Sequence, residues 1–145
     1  MFQTFVVETD PSHAAPRIVA LREAMREAGI DAYLVPRADE HQGEYVPPRA
    51  ERLKWLTGFT GSAGMALILL DRAILFVDGR YTLQARTQCD AELFEIADLI
   101  STPPAKWIGE NGQQGWVVGI DPWLHTISEV SRLRKAAAKL DATVV

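Results

Sequence analysis

The chain has 145 residues, 48% of them hydrophobic and 23% charged, with one cysteine and a formal net charge of -4. That length suits one ordinary domain burying roughly 70% of its unfolded surface, and the composition excludes a disordered tail, a collagen-like fibre and a disulfide scaffold. The acidity argues against nucleic acid as a main partner, because phosphate binding needs a basic face.

In chain order, Met1 to Asp10 lacks the basic start, apolar run and cleavage site of a secretory signal. The first helix follows. Pro16 suits an initial helical position, Ile18, Leu21, Met25 and Ala28 recur at helical spacing, and Gly29 stops the run. Ala32 to Val35 reads as a buried strand ended by Pro36, and the segment Arg37 to Val46 is polar and irregular. Pro47-Pro48 starts a short helix from Arg49 to Leu56, closed by Gly58. Beyond Gly61 and Gly64, two apolar runs, Met65–Leu70 and Ala73–Val77, flank Asp71-Arg72 and predict a hairpin. The longer run is far too short to span a bilayer.

Arg80 to Cys89 reads as a helix, Phe94 to Ile96 as a weaker strand, and Thr102-Pro103 opens a short helix toward Trp107. Gly115 precedes a strand over Trp116 to Ile120. Thr126-Ile127-Ser128-Glu129 is a capping box, followed by an apolar stripe of Ile127, Val130, Leu133 and Leu140. The closing Ala142 to Val145 reads as a strand, an unusual tail that points to a cut through a longer chain. The order predicts an α/β fold of three α/β/α layers around a mixed sheet of about six strands with one hairpin.

Few residues point to chemistry. Gly58 to Gly64 invites a phosphate-loop reading that fails on order and content: it follows a helix and precedes a strand, so no helix amides face an anion, and no Gly-Lys-Ser/Thr follows. A tight turn with close backbone packing is expected there. The histidines His13, His41 and His125 are scattered, and no metal site is expected. Asp39-x-His41 reads as a hydrogen-bonded loop brace. Cys89 reads as core, and a lone cysteine gives no sign of an oxidising compartment. Trp55, Trp107, Trp116 and Trp123 read as packing. Asp78-Gly79-Arg80-Tyr81 stands apart. It leaves the carboxyl end of a buried strand, where ligands of open α/β sheets gather. Asp78 can cap the next helix, and Arg80 either meets a carboxylate or peptide carbonyl or forms a surface ion pair.

Five motifs then occur in order: Ile30 to Pro36; Asp39-x-His41-Gln42-x-Glu44-Tyr45; Leu56 to Gly64; Asp78-Gly79-Arg80-Tyr81-x-x-Gln84-Ala85; and Gly119-Ile120-Asp121-Pro122. Together they resemble the amino-terminal domain of the longer, cytosolic type of Xaa-Pro aminopeptidase (aminopeptidase P), from about Arg17 to the end. The resemblance implies a single creatinase/prolidase-type domain over residues 1–145 with ribonuclease-H-like topology. It implies a longer parent, a metallo-aminopeptidase with a second domain and a catalytic domain holding two divalent metals, usually manganese. The parent would release the residue before proline from short peptides, in the cytoplasm and as a homodimer, without a nucleic-acid or membrane partner.

No catalytic residue, metal ligand or cofactor is expected within these residues, so the chain by itself is expected to be inactive. Its implied role is a dimer surface and one wall of a channel that admits short peptides. Arg80 is carried over as a substrate-binding residue, with Asp39, His41 and Tyr81 as weaker candidates. Two other readings compete: a non-catalytic creatinase-like module that binds protein or peptide, and a two-metal nuclease using Asp78 and Asp121.

Overall fold

A computed structural model describes residues 9–145. The Met1 to Asp10 reading therefore lies almost wholly outside the described residues. The side chain of Asp10 accepts the amide of Ser12 and caps a 3-10 turn, Pro11–His13, which runs directly into helix α1 (Ala14–Ala28). The helix thus starts ahead of Pro16, which lies in the first turn, where amides lack intrahelical partners and proline's missing N–H costs nothing. Gly29 ends α1 as expected.

Strand β1 (Ala32–Pro36) pairs antiparallel with β2 (Gly64–Leu69), which forms the expected hairpin with β3 (Ala73–Val77). Every residue of β3 is buried, because helices cover both of its faces. Between β1 and β2 the chain makes a 3-10 turn, Pro48–Ala50, and the short helix α2 (Arg52–Thr57), where one helix was predicted. After β3 it makes a second 3-10 turn, Gly79–Tyr81, before α3 (Thr82–Gln88). Strand β4 (Glu95–Asp98) lies parallel to β3. Helix α4 (Pro104–Asn111), strand β5 (Val117–Gly119), helix α5 (Ile127–Ala138) and strand β6 (Thr143–Val144) complete the chain. The sheet order is β4-β3-β2-β1-β5-β6, and β2 alone runs against the rest.

Side-chain alternation divides the core between two faces. Val35, Ala66, Ile68, Leu75 and Val77 meet α1, α2 and α3 through Ile18, Met25, Leu53, Leu56 and Ala85. Leu34, Leu67, Leu69, Ile74 and Phe76 meet α4 and α5 through Trp107, Ile108 and Leu133. The period-two pattern of each strand therefore feeds both helical layers, and burying each large side chain contributes roughly 1.5–3 kcal/mol. This is the predicted three-layer architecture.

Several local expectations change. Phe94 is buried just ahead of β4 rather than within it, and Cys89 sits just past the end of α3. Cys89 is core as expected: burial pushes its thiol up to about 11. Trp107 is buried, but Trp55 and Trp123 are 57% and 76% exposed and do not pack as read. The capping box forms in full around Thr126 and Glu129. Ile127, however, is 91% exposed, and the buried stripe of α5 is Leu133 with Ala137. As the first helical residue, Ile127 projects before the helix reaches the sheet.

His125, immediately before the cap, is buried with neither ring nitrogen hydrogen-bonded; Glu129 is 3.7 Å away. Burial holds the imidazole below its ordinary value, although Glu129 and Asp121 pull the other way. The unfolded chain takes up this proton near pH 6.5, before the folded chain does. The contribution of neutral His125 is thus present above the unfolded value and lost as pH falls toward the lowered folded value. The urea midpoint of the wild type should fall more between pH ~7 and ~5 than that of His125→Phe. Equal acid sensitivity in both proteins would exclude His125 as the source.

Candidate functional site

The carboxyl ends of β1, β3, β4 and β5 share one sheet edge with the amino end of β2. The polar motifs singled out above leave or enter the sheet at this edge. Strand topology therefore gathers at this edge residues as far apart in the chain as Arg37 and Asp121.

Asp78 and Arg80 form its best-defined element. An oxygen of Asp78 accepts the Arg80 amide at 3.0 Å and caps the 3-10 turn. The same carboxylate holds the guanidinium through Nη2 at 2.7 Å and Nε at 3.1 Å. The cap and the ion pair, weighed separately from sequence, coexist on one carboxylate. The hydrogen bonds from Arg80 hold the Asp78 carboxyl below the usual carboxylate range, and those to Asp78 push the guanidinium up. The Arg80 side chain remains 72% exposed, against 14% for Asp78. Asp78 thus fixes one side of an otherwise solvent-facing cation.

Tyr81 joins this pair to the glycine loop. Its hydroxyl shares a hydrogen bond with the Ser62 hydroxyl, which holds the phenol below its ordinary value. Its ring meets Phe59 edge-on at 5.8 Å, and the Arg80 guanidinium carbon lies 5.1 Å from the Tyr81 centroid. Phe59 is buried beneath the loop. A side-chain carbon on Gly61 would stand 2.2 Å from the Phe59 ring, and one on Gly64 would stand 2.9 Å away. These glycines admit an aromatic ring, not a phosphate, in line with the close packing expected there.

Gln84 and Gln88, one turn apart on α3, donate to the Thr60 hydroxyl at 2.9 and 2.7 Å, and Gln88 accepts the Thr60 amide. Their spacing was the available signal for this clasp. Arg37 was also missed. It donates to the carbonyls of Ser62 and Glu44, tying the polar segment after β1 to the glycine loop. No local pattern announces such contacts, because the accepting carbonyls are brought near by the sheet.

Asp39 is the loop brace expected of it. It is buried and accepts the amides of His41 and Gly43, each at 3.0 Å, which hold its carboxyl below the usual range. His41 is exposed and 3.7 Å from Glu40. Arg80 and Tyr81 thus come together, while Asp39 and His41 sit on the adjoining loop after β1, linked to them through Arg37 and Ser62.

Asp121, after β5, pairs with Arg52. Asp98 caps the amides of Ile100 and Ser101. Asp78 and Asp121 leave strands separated by β2 and β1, so their backbones stand about 14 Å apart. A two-metal nuclease needs its carboxylates clustered around ions roughly 4 Å apart, and this spacing removes that reading. Among the described residues no group of three or more His, Cys, Asp and Glu could hold a metal ion. The residues present do not fit the two metals the resemblance implies. What the edge offers is a cation pre-positioned for a carboxylate or carbonyl beside a phenol.

Fold and edge together define a ribonuclease-H-like α/β/α domain with a polar loop cluster at the carboxyl ends of its strands. The model of the creatinase/prolidase N-terminal domain matches residues 17–145, and the chain belongs to that family. "Probable Xaa-Pro aminopeptidase P" of Ajellomyces dermatitidis is 39% identical over 131 residues, covering 89% of this chain and 21% of that protein. The protein of the same name from Coccidioides posadasii is 38% identical over 131 residues. The chain thus spans about a fifth of the length of the curated relatives it matches.

Among solved structures, an X-prolyl aminopeptidase from Caenorhabditis elegans, a cytosolic enzyme with a di-nuclear active site, has a TM-score of 0.81 at 28% identity. It is matched over 91% of this chain and 24% of its own. The N-terminal domain of the cytoplasmic peptidase PepQ from Mycobacterium tuberculosis has a TM-score of 0.67 at 26% identity, with 90% of this chain and 91% of that one covered. No helix among the described residues is long and apolar enough to cross a membrane.

Proposed function

We propose that residues 1–145 form the first, accessory domain of a metal-dependent Xaa-Pro aminopeptidase, which removes an N-terminal residue preceding proline. One observation carries this reading: relatives bearing that name align with nearly the whole chain, yet the chain fills only about a fifth of their length. The parent is a cytoplasmic homodimer acting on short peptides. Its two divalent metals, with manganese the expected ion, are held outside these residues. Bound there, they would supply an activated water. This domain contributes to the dimer surface and one wall of the substrate channel.

Arg80 is the substrate contact. Held by Asp78 on one side and exposed on the other, its guanidinium meets a peptide carbonyl or carboxylate with little reorganisation. Tyr81, Asp39 and His41 border the same path, Asp39 through its loop rather than by contact.

In the full-length enzyme, Arg80→Ala should raise KM about tenfold, equivalent to about 1.4 kcal/mol of binding, with metal content unchanged. Unaltered kinetics would remove Arg80 from the substrate path. The 145-residue chain alone should leave an Xaa-Pro peptide intact with manganese added, and measurable turnover would overturn the accessory-domain reading.

A further inference from the structure

Helix α5 carries an unusual charge for this protein. Residues 127–139 hold Arg132, Arg134, Lys135 and Lys139 against a single acid, Glu129, for a net charge of +3. The chain as a whole carries -4, so the other residues together carry -7. All four cationic side chains are exposed, and none makes an ion pair or hydrogen bond with a described residue. Most other cations of the chain have partners, as in Arg37, Arg49, Arg52, Arg72 and Arg80.

Beside these charges lies an open groove of about 650 Å³, lined by Pro122, Ile127, Val130, Arg134 and Lys135 among others. Ile127, part of its lining, is 91% exposed. Ile127 is held there by a complete capping box and is not a frayed end. The inner face of the helix is committed to the core through Leu133 and Ala137. The groove and the cations therefore form a fixed outer face.

We propose that this face docks an acidic protein segment, which seats an apolar side chain beside Ile127 and Val130 and pairs its carboxylates with Arg134 and Lys135. Charge complementarity selects this occupant. An α5 of 12 residues is about 18 Å long, enough for about five extended residues. A short acidic segment needs only the local +3, whereas the other residues together are net acidic at -7. A nucleic-acid duplex, with a charge about every 1.7 Å, would bring its phosphates against that acidic remainder. A membrane would need a broad apolar face, and the helix cannot turn its buried stripe of Leu133 and Ala137 outward.

The probe is an acetylated six-residue peptide of alternating aspartate and leucine. It is titrated into the 145-residue chain while the α5 amide shifts are followed. Saturable binding is expected, weakened about tenfold or more by Arg134→Glu with Lys135→Glu or by raising salt from ~50 to ~500 mM. Ile127→Ser should also weaken it, whereas Arg26→Glu on α1 should not. Circular dichroism checks each variant's fold. If the charge-reversed pair unfolds, Arg134→Gln with Lys135→Gln takes its place. Absent saturation, an affinity unmoved by these changes, or an equal loss in Arg26→Glu would overturn the proposal. So would tighter binding to duplex DNA or to phosphatidylserine vesicles than to the peptide.

Discussion

Phe59→Ala should lower the unfolding free energy by about 3–5 kcal/mol, the range for deleting a buried aromatic ring. Phe59 is 1% exposed, packs with the α1–α2–α3 layer, and supports Tyr81 edge-on. Its removal leaves a cavity that two neighbours, Gly61 and Gly64, have no side chains to fill. The effect should also reach the candidate site. Tyr81 would lose its ring contact, loosening its hydrogen bond to Ser62, so the phenol should titrate closer to its ordinary value. Urea denaturation reads the first effect and spectroscopic titration of Tyr81 the second. A loss under ~1 kcal/mol would show that the ring does not support the loop.

Gly61→Ala tests the same contact from the opposite side. The added methyl would stand 2.2 Å from the Phe59 ring, which is buried and has little room to shift. Overpacking of this kind should cost about 3 kcal/mol. The backbone gives no separate reason for a penalty, since Gly61 is not among the positive-φ glycines. The clash itself is therefore the cause. In a Phe59→Ala background the same substitution should cost about 1 kcal/mol or less, a strong departure from additivity. Equal costs in both backgrounds would place the penalty in the backbone instead. The double-mutant cycle needs only four urea curves.

The site was legible in parts. Asp78-Gly79-Arg80-Tyr81 was recognisable because an acid able to cap, followed by a cation, stood at the end of a strand with an unbroken apolar pattern. Asp39 was legible as a brace because aspartate readily accepts amides two to four residues ahead. Both are local effects. Arg37 on the Ser62 carbonyl, Tyr81 on the Ser62 hydroxyl and Arg52 with Asp121 were not legible. Each joins residues at least 19 positions apart, and a polar side chain in a loop does not encode its distant partner. The reading of Trp55 and Trp123 failed for a related reason. Hydrophobic composition says a tryptophan gains by burial, while its exposure depends on which helix or loop covers that point.

Local physics alone determined the element types and their order. The continuous apolar runs of β2 and β3, the helical spacing of α1, Gly29 as a stop and the box at Thr126 each act within a few residues and formed in the structure. The ordered motifs were also enough to recognise the family. Only the tertiary structure decided that β1 lies between β2 and β5, which loops share one sheet edge, and which side chains stay uncovered. Strand pairing is set by two helical layers burying both faces of the sheet at once, a condition on the whole chain. For the same reason Asp78 and Asp121, alike as acids at strand ends, belong to separate parts of the edge. Asp78 holds Arg80, and Asp121 holds Arg52.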